Sequence, residues 1–319
     1  MAELVLGIGT SHGPTMSTPW EEWLVLGEKD LLDDRLDPAA LTEKPLLLPE
    51  ITAERRATRH AAYHAAIAAL NARISAARID TFVVISNPHQ IYPQEPQPVF
   101  GIYLGETIPM TEDRTIELGR RRFNQGSAAG AEQYPSDPAL AAHLMDALID
   151  AGFDLACTDR FRDGTLLEHA YAAMYEHYFD RPRPLVPIVL SRYLPNQATP
   201  ARCYALGRAL RRAIEDWGEE RRVAVVASGG LSHQVIDEEL DRTVIAALTG
   251  KDVPALTSLP RDRLNGAPGT PEILNWVTLA GVMEDVPMTL IDYIPAYRSL
   301  LGTGHGLAFG YWSADEGAP

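Results

Sequence analysis

The sequence predicts a single α/β domain spanning residues 1–319, with a mostly parallel central sheet and helices on both faces. Three observations support this fold. Short apolar runs of strand length recur, amphipathic helical stretches lie between them, and no internal repeat or low-complexity linker divides the chain. Alternating strands and helices are typical of a parallel sheet covered by helices. A chain of 319 residues with 46% hydrophobic content can bury a core of that size.

The predicted strands are apolar through most of their length. Strands with one face in water alternate apolar and polar residues, so near-continuous apolar runs indicate strands covered on both faces. In chain order the predicted strands are Leu4–Ile8, Thr81–Ile85, Val99–Leu104, Phe153–Cys157, Leu185–Leu190, Val223–Ala227 and Leu307–Tyr311.

The predicted helices carry one apolar face. The clearest is Ala201–Trp217, which ends at Gly218 and has arginines opposite an apolar side formed by Leu206, Leu210, Ile214 and Trp217. The same periodicity predicts helices over Glu54–Ala77, Pro138–Ala151 and Glu238–Leu248.

Two segments interrupt the alternation of strands and helices. These are Trp20–Pro49, rich in Leu, Asp and Pro, and Glu106–Pro135, which is rich in Arg and Gly. Insertions of this length in a compact α/β domain are often lids or subunit contacts, and surface decoration is an equally good alternative. Whether copies of the chain associate into a homo-oligomer is left open by the sequence.

The composition excludes two classes of partner. The chain has 28 basic and 43 acidic residues, a net charge of −15, which argues against a surface that follows nucleic-acid phosphates. No stretch approaches the roughly 18 apolar residues that span a bilayer. The start of the sequence has no signal-peptide pattern.

Cys157 and Cys203 lie in apolar segments and are expected to be buried free thiols, so we expect a cytoplasmic protein.

Three histidines follow predicted strands in turns rich in Gly or Pro. His12 lies in Gly9-Thr-Ser-His-Gly-Pro14, His89 in Ser86-Asn-Pro-His-Gln90, and His233 in Ser228-Gly-Gly-Leu-Ser-His-Gln234. The carboxyl ends of parallel strands meet at one edge of a sheet, where ligands bind. Any one of these histidines could be an ordinary polar loop residue, but the recurrence predicts a shared site.

The remaining histidines are weaker candidates. His60 and His64 are four residues apart on a predicted helix, but the HExxH glutamate is missing, so a solvated helix face is the better interpretation. We expect the same of His143 and His177. Spacing alone leaves His169 open. His305 precedes the last predicted strand rather than following one, which argues against a place in the site.

A metal site would also need a carboxylate. Iron(II) oxygenases commonly use two histidines and one carboxylate, which leaves coordination positions open. Glu272 lies where Thr270 resembles an N-cap and Pro271 the first helical residue, so complementing the helix dipole is a sufficient role for it. With 43 acidic residues, spacing does not select the ligand.

The histidine motifs and Glu272 resemble the LigB-type class III extradiol dioxygenases, which include the β subunit of protocatechuate 4,5-dioxygenase and the gallate dioxygenases. Gly229-Gly-Leu-Ser-His-Gln234 is the most specific of the matching motifs. The resemblance implies a non-haem Fe(II) enzyme that opens a catechol-type ring with O2, beside the two hydroxylated carbons. It implies iron ligands at His12, His89 and Glu272, an acid/base histidine at His233, and a histidine lining the substrate pocket at His169.

Two motifs depart from the family pattern, and the substrate is undetermined. Relatives tend to have Asp-His-Gly where this chain has Glu168-His-Ala170, and many have Asn-Asp-His where it has Asn87-Pro-His89. The candidates to pair with an acidic ring substituent are Arg120, Arg121, Arg122 and Arg162, and the sequence does not choose among them.

Two alternative functions remain: a zinc-dependent hydrolase using the same ligands, and a non-catalytic binding or scaffold protein.

Overall fold

A nine-stranded mixed sheet forms the centre of the protein in a computed structural model. The structure describes residues 1–33, 36, 41–87, 97–109, 115–118, 121–124, 133–160, 169–179, 181–192 and 194–313. For residues 109, 115–118, 121–124, 133, 169 and 172 it describes the backbone alone.

The described strands alternate with helices through most of the chain. The strands are β1 (Glu3–Thr10), β2 (Thr81–Ser86), β3 (Phe100–Tyr103), β4 (Thr107–Pro109), β5 (Thr115–Leu118), β6 (Arg121–Asn124), β7 (Gln133–Pro135), β8 (Ala156–Thr158), β9 (Leu185–Leu190), β10 (Arg222–Ser228), β11 (His233–Val235), β12 (Thr289–Tyr297) and β13 (Thr303–Trp312). The α-helices are α1 (Trp23–Asp30), α2 (Ala53–Ala76), α3 (Pro138–Asp150), α4 (His169–His177), α5 (Pro200–Glu215), α6 (Glu238–Gly250), α7 (Val253–Thr257), α8 (Arg261–Leu264) and α9 (Ile273–Val282).

The centre of the sheet is parallel and its margins contain antiparallel pairs. The strand order is β11-β13-β1-β10-β2-β9-β3-β8, with β12 paired to β13. Strands β1, β10, β2 and β9 are parallel to their neighbours in this group, whereas β13 runs antiparallel to β1 and β3 runs antiparallel to β9. The prediction of a mostly parallel α/β sheet with helices on both faces is confirmed.

Two hydrophobic cores lie on opposite faces of this sheet. Successive side chains of a strand point to opposite faces. In β2, Val83 and Ile85 therefore pack in the core with α3, α5, α6 and α9, while Phe82 and Val84 pack in the core with α2 and α4. All six residues of β2 are buried, which explains why its sequence is apolar without alternation.

Several local predictions were wrong. Phe153 does not begin a strand, because it packs in the core against Phe100 from the loop after α3, and β8 starts only at Ala156. Cys157 is exposed, whereas Cys203 is buried as expected. Thr270 is not an N-cap. It begins a short 3-10 turn, Thr270–Glu272, which leads into α9.

Within the described residues, no helix is long and apolar enough to cross a membrane.

Candidate active site

The parallel strands bring three polar residues to one edge of the sheet. The ends of β1 and β10 are aligned, since Thr10 pairs with Ser228, and Ser86 at the end of β2 pairs with Val189 of β9. His12 follows β1, Asn87 follows β2 and Arg192 follows β9. Of the three histidines expected to converge at this edge, His12 lies there, and His89 falls outside the described residues.

Glu272 lies at the centre of this group. Its side chain is 1% exposed, and three side chains approach its two oxygens. Arg192 Nη1 donates a hydrogen bond to Oε1 over 3.1 Å, His233 Nε2 lies 3.5 Å from Oε1, and His12 Nε2 lies 3.4 Å from Oε2. Oε2 is buried and accepts no hydrogen bond from the described residues.

The tautomer of His12 follows from its neighbour Ser228. The Ser228 hydroxyl donates to the carbonyl oxygen of Ala170 over 2.6 Å, so its oxygen is the acceptor for His12 Nδ1–H over 3.0 Å. Nδ1 therefore carries a proton, and Nε2 faces Glu272, where it can bind a second proton or a metal ion. Histidine ligands of metals are commonly oriented in this way by a hydrogen bond at the other nitrogen.

His233 is oriented by an equivalent contact. Its Nδ1–H donates to the carbonyl oxygen of Leu231 over 2.9 Å, which leaves Nε2 facing Glu272 and the cavity. The backbone of Gly269 lies against this ring, since a Cβ there would come 2.0 Å from His233 Cδ2. Gly229, with φ of +144°, also lies close to a site residue, because a Cβ on it would come 2.7 Å from Oε2 of Glu272.

The charge state of Glu272 is set by two opposing effects. Burial raises the pKa of this carboxyl, but the neighbouring histidines His233 and His12 and the guanidinium of Arg192 lower it. The net result is a pKa well below the usual range, so the carboxylate is ionised. A buried anion beside the Nε2 atoms of two imidazoles favours positive charge there, either a proton on an imidazole or a bound cation.

The residues present fit a metal with histidine and carboxylate ligands. His12 Nε2 and Glu272 Oε2 converge, Oε2 accepts no hydrogen bond from the described residues, and the Nδ1–H of His12 is engaged elsewhere. Within the described part of the chain, no group of three or more His, Cys, Asp or Glu side chains is arranged to hold a metal ion. The third expected ligand, His89, falls in residues 88–96, outside the described residues.

The structure describes the backbone of His169 but not its side chain. His169 is the first residue of α4, and the next residue, Ala170, supplies the carbonyl that fixes the Ser228 hydroxyl. The predicted place of the His169 side chain in the substrate pocket therefore stays a prediction.

His305 is a site residue that the sequence analysis missed. It lies within β13 rather than before it, is 2% exposed, and lines the same cavity as His12, His233 and Glu272. Because β13 runs antiparallel to β1, its amino-terminal end meets the carboxyl ends of the parallel strands. The flanking residues Gly304 and Gly306 were the available signal. Burial, followed by the nearby His233 and Arg298, lowers the pKa of His305 well below its usual value, which keeps the ring neutral.

A cavity of about 280 Å³ opens at this edge. That volume is near the lower end for small-molecule pockets, roughly 300 Å³ upward. One wall comes from the Trp20–Pro49 segment, through Leu26, Lys29, Asp30 and Asp33 in and after α1. This segment therefore contributes to the site and is more than surface decoration.

The structure does not test the four arginines predicted to pair with a ring substituent. Arg120 and Arg162 lie outside the described residues, and the side chains of Arg121 and Arg122 are not described. The described cations that line the cavity are Lys29, Arg192 and Arg298. Arg192 is paired with Glu272 and Arg298 with Asp30, whereas Lys29 has no ion pair among the described residues.

The other histidines lie away from the cavity. The rings of His60 and His64 contact each other at 4.5 Å between centroids on α2. His143 Nε2 bonds to the carbonyl oxygen of Ala213 over 2.8 Å. His177 is not solvated, contrary to the prediction, because its side chain is only 12% exposed.

The chain belongs to the LigB family. The sequence model of this family, described as the catalytic LigB subunit of aromatic ring-opening dioxygenase, matches residues 39–306, which is more than half of the chain.

Individual relatives match smaller parts of the chain. A gallate dioxygenase of Pseudomonas putida is 33% identical over 162 residues, which cover 46% of this chain and 45% of that protein. A 2,3-dihydroxyphenylpropionate/2,3-dihydroxicinnamic acid 1,2-dioxygenase of Paraburkholderia xenovorans is 35% identical over 112 residues, covering 34% of this chain and 33% of that protein. The matches thus span less than half the length of these relatives.

A solved structure shares the fold. An uncharacterized protein from Escherichia coli K12 superimposes with a TM-score of 0.51 over 96% of this chain and 99% of that chain. The two sequences are 16% identical, so the similarity supports the fold alone.

Proposed function

We propose that this chain is a non-haem Fe(II)-dependent extradiol dioxygenase, which cleaves a dihydroxylated or trihydroxylated aromatic ring with O2. The observation that carries the proposal is the pair of imidazole Nε2 atoms, of His12 and His233, facing the buried carboxylate of Glu272 over 3.4 and 3.5 Å. Membership of a ring-opening dioxygenase family supports the same chemistry. We further propose that residues 1–319 form one catalytic domain that acts in the cytoplasm.

The proposed ligands are His12, His89 and Glu272. Three protein ligands leave coordination positions open, and bound iron would supply a centre at which the aromatic diol and O2 meet. Arg192 has a supporting role in this proposal, because its hydrogen bond to Oε1 directs Oε2 of Glu272 towards His12.

His233 is the proposed acid/base residue. Its Nδ1–H is engaged by Leu231, so Nε2 is the nitrogen that can take a proton from a substrate hydroxyl and return it later. An imidazole is suited to this exchange because a ring nitrogen can both accept and donate a proton. His169 is the proposed second histidine of the substrate pocket.

Lys29 is the proposed contact for an acidic ring substituent. It is the described cation at the cavity that has no ion pair among the described residues. Both named relatives act on aromatic compounds that bear a carboxylate, as gallate and dihydroxyphenylpropionate do. A lysine ammonium on a flexible stem can meet such a group as a point charge.

The test is a substrate screen with two forms of the enzyme. Protein loaded anaerobically with Fe(II) is mixed with gallate, protocatechuate, 2,3-dihydroxyphenylpropionate and unsubstituted catechol, while oxygen uptake is recorded. The zinc-loaded protein is the control, and it should bind the diols without consuming O2. A zinc-dependent hydrolase would instead be active without O2, and a scaffold protein would show no turnover in either form.

A further inference from the structure

We propose that Asp241 is a positioning residue for His233, because its carboxylate anchors the turn that carries this histidine. Asp241 lies in the first turn of α6, outside the group of proposed ligands, and is 0% exposed. The inference rests on the proposed role of His233 as the acid/base residue.

Three hydrogen bonds connect the carboxylate to the turn and to β12. Oδ1 of Asp241 accepts from the backbone N–H of Ser232 over 2.7 Å, and Oδ2 accepts from the Ser232 hydroxyl over 2.7 Å. Oδ2 also accepts from the Tyr293 hydroxyl over 2.6 Å. Two of these three bonds are made to Ser232, which directly precedes His233. They therefore fix the backbone next to the residue that carries the imidazole.

The other polar groups of Ser232 are engaged as well. Its hydroxyl oxygen accepts from the backbone N–H of Asp237 over 2.8 Å, and its carbonyl oxygen accepts from the N–H of Gly306 over 2.8 Å. A Cβ on Gly306 would lie 2.3 Å from Asp241 Oδ2, so glycine at this position leaves room for the carboxylate. The backbone before His233 is thus held from two sides, by α6 and by β13.

A buried carboxylate is costly, and packing does not require one here. A buried ionised group needs hydrogen bonds or an opposite charge to compensate for its lost hydration. An apolar residue of similar size would fill the space in α6 but could not accept from Ser232. The carboxylate therefore contributes orientation of the turn rather than burial of apolar surface.

The same burial makes the anchor sensitive to pH. Burial raises the pKa of Asp241 to about 6, against the lowering effect of the hydrogen bonds from Tyr293 and Ser232. A protonated oxygen of Asp241 accepts fewer hydrogen bonds. The hydrogen bonds to Ser232 should therefore weaken as the pH falls through about 6. The charged groups of α6 and its N-cap near Asp241 are Asp237, paired with Arg263, and Glu238, paired with Arg242. Tyr293 and Tyr297 lie on β12, which packs against α6, and His233 and His305 lie on the paired strands β11 and β13.

Two variants test the proposal in the iron-loaded enzyme. In Asp241→Asn the amide nitrogen cannot accept the bonds that Oδ2 accepts, so kcat should fall about tenfold or more while iron content and KM change little. In Tyr293→Phe one bond that lowers the pKa of Asp241 is lost, so the acid limb of the kcat–pH profile should move to higher pH. Tyr297→Phe is the matched control, because Tyr297 on the same strand donates to Glu238 of the same helix over 2.8 Å and leaves Asp241 untouched.

A second readout separates this inference from the proposed reaction. In the metal-free protein, histidine side-chain ¹⁵N NMR reports whether His233 keeps its proton on Nδ1, where Leu231 accepts it. We expect a single Nδ1–H tautomer in the wild type and in Tyr297→Phe, and a mixed or exchange-broadened signal in Asp241→Asn. An unchanged His233 signal in Asp241→Asn, or an acid limb that Tyr293→Phe leaves in place, would overturn the positioning role whether or not the enzyme opens aromatic rings.

Discussion

The ring of His305 lies against the ring of His233, with 4.7 Å between centroids and 30° between planes. Two glycines of the site turns leave the space for it. A Cβ on Gly13 would come 2.1 Å from His305 Nδ1, and one on Gly230 would come 1.9 Å from Nε2. The neutral ring of His305 therefore forms one side of the slot that holds His233.

Replacing His305 by alanine should loosen His233 without removing the metal. The variant opens a cavity beside the His233 imidazole, so this ring can move from its position. Because a displaced general base transfers protons less efficiently, we expect kcat to fall about tenfold or more. His305→Phe keeps an aromatic face against His233 and should retain more activity than His305→Ala. The measurements are kcat, iron content and melting temperature of both variants. Equal activity losses in both would show that the His305 nitrogens, rather than the ring contact, are needed.

The proposed ligands and the proposed base should give different phenotypes. His12→Ala and Glu272→Ala each remove a ligand, and loss of a ligand should abolish iron retention. His233→Phe removes only the base, so it should keep iron and lose most of its turnover. Metal analysis after gel filtration checks this. An iron content in His233→Phe as low as in His12→Ala would contradict the assignment of His233 as a base outside the ligand set.

The substrate contact proposed for Lys29 predicts selective losses. Lys29→Met should raise KM for a carboxylated diol about tenfold, since it removes an ionic contact made in the ground and transition states, and leave KM for catechol unchanged. Lys251→Met is a matched surface control, because Lys251 bonds to the carbonyl oxygen of Asp285 away from the cavity. Equal changes for both substrates would remove Lys29 from the substituent contact.

His177 should make the stability of the protein depend on pH. Burial, followed by the nearby His64, lowers the pKa of His177 to about 4. The unfolded chain then binds the proton near pH 6.5 while the folded protein does not. The stabilisation is therefore present above pH 6.5 and is lost as the pH falls towards 4, by up to about 3 kcal/mol.

His177→Gln isolates this effect from that of other groups. As the pH is lowered from 7 to 4.5, the unfolding free energy of the wild type should fall relative to that of the variant. Urea melts at several pH values measure it. A difference that is independent of pH would show that His177 does not titrate differently in the folded and unfolded states.

The sequence predicted the strands and site residues that can be recognised from the pattern of neighbouring residues in one short segment. The buried run of β9 was predicted with its exact limits, because both faces of that strand are covered and its apolar pattern is unbroken. Two predicted site residues, His12 and His233, could be recognised because they follow strands in Gly-rich turns. Glu272 became a ligand candidate only through the family resemblance, since a carboxylate in a first helical turn has an ordinary structural role.

The missed features depend on contacts between distant segments. The sequence argued against His305 because it precedes the predicted strand Leu307–Tyr311, and only the antiparallel pairing of β13 with β1 places it at the site. Asp241 is one acidic residue in a helix with several, and its bonds to Ser232 and Tyr293 join three separate elements. Periodicity along one helix carries no information about such partners.

The most direct test of the proposed reaction is the fate of labelled O2. Fe(II)-loaded enzyme is supplied with ¹⁸O2 and the aromatic diol that gives the fastest oxygen uptake, and the product is analysed by mass spectrometry as uptake is followed. We predict one O2 consumed per ring opened and labelled oxygen in the new carboxylate of the product. A product whose added oxygen comes from water, or turnover that continues without O2, would contradict the dioxygenase assignment.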